Sequence, residues 1–60
     1  MTEYERHVLS KIAKHETYQL PWGAATTAAM EFLRGSGYIT DYLGQQPKAT
    51  PLGLDQLEAN

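Results

Sequence analysis

A chain of 60 residues holds one domain at most, and at this size only about 60% of the unfolded surface is buried on folding, so the core is small. There is no cysteine, which excludes a disulfide staple and a thiolate metal site. Five Lys and Arg stand against seven Asp and Glu, a formal net charge of −2, which argues against non-specific nucleic-acid binding and leaves room only for a local basic patch.

Hydrophobic residues make up 42% and charged residues 20%, a globular composition and not a disordered one. No apolar run approaches the roughly 20 residues of a membrane span. The opening MTEYERHV places acids where a signal peptide carries a basic region and an apolar core. The expectation is a soluble, cytoplasmic protein without membrane contact, forming a single domain over residues 1–60.

Thr2-Glu3-Tyr4-Glu5 matches a capping box, and two acids in the first turn suit the positive end of the helix dipole. Tyr4, Val8, Leu9, Ile12 and Ala13 recur at helical spacing, which predicts a first helix from about Glu3 to about His15. His7, Lys11 and Lys14 line up on its opposite face. Thr17 to Leu20 alternates and reads as a stub of strand or an extended connector. Pro21 suits the first position of a new helix. From there Trp22, Ala25, Ala29, Phe32 and Leu33 share one face, with Met30 at its edge, and Ala24, Thr27, Ala28, Glu31 and Arg34 lie outside. Gly35 fits the positive-φ position that ends this helix at about Arg34. Tyr38 to Leu43 alternates as a half-buried strand, Gly44 to Pro47 turns, and Lys48 to Thr50 returns as a second strand. Thr50-Pro51 reads as N-cap and first position of a short last helix. The fold class is therefore α+β: two main helices, a two-stranded hairpin and a short C-terminal helix. The expected core is Leu9, Ile12, Trp22, Phe32, Leu33, Ile39, Leu43, Leu54 and Leu57.

Phe32-Leu33-Arg34-Gly35-Ser36-Gly37-Tyr38-Ile39 resembles the end of the recognition helix and the first wing strand of winged helix-turn-helix proteins. Thr50-Pro51-Leu52-Gly53 followed by Leu57 resembles the segment that closes the wing in MarR- and PadR-like regulators. The resemblance covers about residues 24 to 57 and implies a small winged-helix-like domain that binds double-stranded DNA. One departure stands out: between His15 and Pro21 there is no room for the short helix and turn that precede a recognition helix, so that helix is lost or reduced to one turn.

No enzyme is expected. His7 and His15 are eight apart, with no partner at the spacing a metal site uses, so neither metal nor cofactor is implied. Ser36 lies in a G-S-G that follows a helix and does not open one, unlike a nucleophile elbow. The acids are scattered, and so small a chain struggles to build a pocket of several hundred Å3.

Two functions stay open. In the first, the chain is a non-enzymatic DNA-binding transcriptional regulator acting as a homodimer. Thr26 or Thr27 would touch a base edge, Arg34 a phosphate, and Gln45, Gln46 and Lys48 would form the wing tip. In the second, it is an adaptor or inhibitor that binds another protein. There the slim Ala24/Thr27/Ala28 face admits a close helix, and Tyr38 and Tyr42 are aromatic anchors. Family shape favours the first and net charge the second.

Overall fold

The computed structural model describes residues 1–41 and 46–59. Helix α1 (Glu3–Ala13) opens on the predicted capping box. The Thr2 hydroxyl accepts the Glu5 N–H at 3.1 Å, and the Glu5 carboxylate accepts the Thr2 N–H at 2.8 Å. It closes in a Schellman motif, with Glu16 N–H on the Lys11 carbonyl at 2.8 Å and His15 N–H on that of Ile12 at 3.1 Å. This places His15 at φ 60, a left-handed conformation usually left to glycine.

A single 3-10 turn (Thr17–Gln19) follows, where the sequence suggested a strand stub or connector. It fills the gap between the first and second helices with a single turn. Lys11 Nζ ties α1 to this turn through Gln19 Oε1 at 2.6 Å and Glu16 Oε1 at 3.5 Å. Lys11 is thereby drawn out of the His7/Lys14 stripe.

Helix α2 spans Ala24–Gly35. It too ends in a Schellman motif: Tyr38 N–H reaches the Leu33 carbonyl at 2.9 Å and Gly37 N–H reaches that of Arg34 at 3.1 Å. The positive-φ residue is Gly37, at φ 80, and not Gly35, which is still helical. Helix α3 (Pro51–Glu58) starts as its sequence implies, with Thr50 Oγ1 accepting the Gly53 N–H at 3.1 Å and Pro51 in the first turn. Arg6 Nη1 donates to the Gln56 carbonyl at 2.7 Å, so a cation on α1 satisfies one of the last carbonyls of α3.

The α+β expectation is corrected. Among the described residues there are three helices, one 3-10 turn and an isolated antiparallel bridge between Ile39 and Ala49; the fold is a small all-helical globule. The bridge is flanked by Thr40 N–H to the Lys48 carbonyl at 2.9 Å and Thr50 N–H to the Tyr38 carbonyl at 3.0 Å. It does not lengthen because the next donors are already taken. The Tyr38 N–H belongs to the α2 stop, and the Lys48 N–H goes to Thr40 Oγ1 at 3.0 Å. The predicted strand partners Tyr42 and Leu43 and the turn residues Gly44 and Gln45 lie outside the described residues.

The core consists of Val8, Leu9 and Ile12 from α1, Leu20 just after the 3-10 turn, Ala29 and Leu33 from α2, and Ile39. Leu20 is the surprise, and it occupies the place expected of Trp22. Trp22 is 96% exposed, Phe32 39% and Leu54 42%, so three expected core residues are at the surface; Leu57 is packed against the core from its edge. For Trp22 the reason is the start of α2. With the first helical residue at Ala24, Trp22 does not follow the helical wheel, and the inward stripe runs Thr26, Ala29, Leu33 with Met30 beside it. Phe32 falls to the margin, its ring edge-on to Tyr38 at 6.3 Å between centroids.

Candidate functional site

The surface that most needs explaining lies at the entrance to α2. Leu20 is anchored in the core, and Pro21 follows it. The Pro21 carbonyl accepts a hydrogen bond from Thr26 Oγ1 at 2.7 Å. That uses the single proton of the threonine, so the Tyr4 hydroxyl, 2.6 Å away, is the donor to Thr26 Oγ1. This relay pins the 21–26 corner to α1. Trp22 is held between Pro21 and Gly23, two residues that keep it off any helix face, and its indole stands almost wholly in water.

Behind Trp22 runs an open groove of about 560 Å3, walled by Tyr18, Leu20, Trp22, Thr27, Met30 and Pro47 among others. No described residue that lines it carries a charge. Tyr18, 79% exposed, separates it from a second hollow of about 290 Å3 bounded by Ile12, His15 and Lys48. Thr17 Oγ1 donates to Gln46 Oε1 at 3.2 Å and closes the floor between the two. The space is an open groove and not the enclosed pocket that a chain of this size was expected to struggle to build.

The described residues among the expected DNA contacts are brought together only in part: Thr27 and Gln46 share one groove, and Gln46 and Lys48 share the second hollow. Thr26 is buried with its hydroxyl engaged at both ends, so it cannot reach a base edge. Thr27 and Gln46 are exposed and reach the Trp22 groove. Arg34 is seven residues further along α2, roughly 10 Å by helical rise, and is paired with Glu31 at 2.7 Å. Lys48 is exposed by the second hollow, and Gln45 lies outside the described residues. Of the expected protein-contact residues, Ala24, Thr27 and Ala28 are exposed along α2. Tyr38 is half-buried against Phe32, and Tyr42 is outside the described residues.

The chain matches no protein-family model, no curated protein and no solved structure. Its function is therefore argued from its own geometry. The residues that sequence reasoning missed are Trp22 and, in part, Tyr18. A signal for Trp22 was present: a proline before it and a glycine after it mark an irregular entry where helical periodicity does not apply. No described helix is long and apolar enough to cross a membrane.

Proposed function

We propose that this chain is a non-catalytic protein-binding module that docks its partner through the Trp22 face. The observation that carries the reading is a tryptophan 96% exposed at the rim of an uncharged, largely apolar groove. A ring of this size left in water forgoes about 2 kcal/mol or more of burial, which a partner surface recovers. Tryptophan and tyrosine are also the side chains on which interface energy concentrates. The occupant is a protein surface that presents apolar or uncharged polar side chains, since no described residue of the groove wall carries a charge that awaits a counter-charge. The cytoplasm is the compartment we assign, for a chain with no cysteine to oxidise.

The second reading, a small DNA-binding regulator related to winged-helix proteins, has in its favour the exposure of Thr27, Arg34, Gln46 and Lys48 and the two motifs at 32–39 and 50–57. The charges oppose it. Arg34 is neutralised by Glu31, Lys11 by Glu16, and Arg6 is spent on the α3 carbonyl. Few cations remain for phosphate, so even a complex would show a shallow salt dependence.

One comparison tests the choice. Wild type, Trp22→Ala and the Arg34→Ala/Lys48→Ala double variant are each used to capture partners from nuclease-treated lysate and to titrate random duplex at low salt. The proposal expects a stoichiometric protein complex that Trp22→Ala removes and the double variant keeps. Duplex binding that the double variant weakens and Trp22→Ala leaves intact would reverse the order of the readings.

A further inference from the structure

We infer that Tyr4, on α1, is a positioning residue for the Trp22 face: its hydroxyl directs the Thr26 hydroxyl, which holds the Pro21 carbonyl and with it the direction in which Trp22 leaves the core. That this serves docking rests on the reading of the Trp22 face as a docking surface. The ring has almost no packing of its own to fix it, being 96% exposed. The Gly23 carbonyl is tied into α2 by the Thr27 N–H at 3.0 Å, but the residue has no side chain to pack, and nothing lies within 4 Å of where a Cβ would stand. The corner is held by buried residues on either side of it, Leu20 in the core and Thr26 in the first turn of α2.

The link runs through one peptide unit. The Pro21 carbonyl and the Trp22 N–H share a plane, so fixing the oxygen fixes the plane from which the Trp22 backbone departs. Thr26 Oγ1 donates to that oxygen at 2.7 Å. A helical threonine hydroxyl has competing acceptors on its own chain, the carbonyls three and four residues back, which here belong to Gly23 and Trp22. The Tyr4 hydroxyl, donating to Thr26 Oγ1 at 2.6 Å, occupies a lone pair of that oxygen and selects the direction of its proton toward Pro21. Without that donor the threonine hydroxyl is free to turn back on its own helix, and the corner loses its tie. An anchor already held in one direction gives up less freedom on docking than a loose one.

The test measures backbone amide order parameters by NMR relaxation on the intact chain. The expected value at the Trp22 amide is about 0.85 in wild type, below about 0.6 in Thr26→Val, and between the two in Tyr4→Phe, which keeps the ring and removes only the hydroxyl. Thr26→Ser keeps the donor and stays near wild type. Thr50→Ala controls for lost stability: Thr50 bonds the Gly37 carbonyl and the Gly53 N–H and not the corner, so its loss leaves Trp22 as rigid as before. A wild-type Trp22 amide already below about 0.6, a Tyr4→Phe variant as rigid as wild type, a Thr26→Ser variant as loose as Thr26→Val, or a Thr50→Ala variant as loose as Tyr4→Phe overturns the inference. The measurement uses no partner, so the two claims fail separately. Order parameters that contradict the tie remove the role of Tyr4 and leave the docking face, whereas a wild-type chain that captures no protein removes the docking face and leaves these order parameters as expected.

Discussion

Gly53→Ala should unfold this protein more readily, against the helix propensity of the new residue. Gly53 lies in the first turn of α3 and is buried against the backbone of Tyr38. A Cβ there would stand 2.9 Å from the Tyr38 carbonyl carbon, 3.2 Å from its Cα, and closer still to its oxygen. The obstacle is backbone, which cannot swing aside as a side chain does. The same carbonyl accepts the Thr50 N–H, and the Thr50 hydroxyl donates to the Gly37 carbonyl at 2.6 Å. Pushing α3 outward therefore loosens the bridge and the α3 cap together. Overpacking costs about 1–3 kcal/mol, the strained hydrogen bond about 1, and alanine returns about 1 through propensity. The net loss is about 1–3 kcal/mol, out of the roughly 3–9 that a chain this long possesses. In urea, with a slope near 1 kcal/mol per molar, the midpoint falls by about 1–3 M. Gly35→Ala is the control: it is helical, its φ is not positive, and nothing lies within 4 Å of an added Cβ, so it should stabilise by up to about 1 kcal/mol. The readout must be far-UV circular dichroism, because an exposed Trp22 reports little on unfolding. Two midpoints that both rise would refute the packing argument.

Other predictions follow from single contacts. Thr26→Val strips the Pro21 carbonyl and the Tyr4 hydroxyl of their shared partner and should cost about 1–2 kcal/mol. A double-mutant cycle with Tyr4→Phe should show coupling of at least about 0.5 kcal/mol, and strict additivity would deny the relay. His15→Gly should raise the urea midpoint, since relief of the left-handed backbone, about 1–2 kcal/mol, exceeds the 0.5–1 that glycine gives back in chain entropy. A lower midpoint would mean that the imidazole makes contacts worth more than the strain.

The sequence was most legible where a side chain acts on its own backbone. The Thr2–Glu5 box and the Thr50 cap with Pro51 both stand as read. The hairpin was over-read. Alternation from Tyr38 onward suggested a ladder, but hydrophobic pattern says nothing about which N–H groups are free, and those of Tyr38 and Lys48 are committed elsewhere. The phase of α2 was misjudged for a related reason. Taking Pro21 as its first residue carried Trp22 onto the inward face, whereas with the start at Ala24 Trp22 is off the helical wheel, Leu20 enters the core, and the inward stripe runs through Thr26 and not Ala25. The candidate site followed from this error: the residue ranked as core by its size is the one left at the surface. Leu20 precedes a proline and looked like connector, yet a 3-10 turn is enough to bring it back onto α1 and α2.

The exposure of Trp22 is the claim on which the functional account depends, and its removal is the most direct test. Trp22→Ala is compared with wild type by urea unfolding at a concentration where the chain is monomeric, followed by far-UV circular dichroism. The account predicts an unfolding free energy within about 0.5 kcal/mol of wild type, as for a surface substitution. A loss of about 3–5 kcal/mol, as for a buried tryptophan, would place the ring in the core and contradict the docking face.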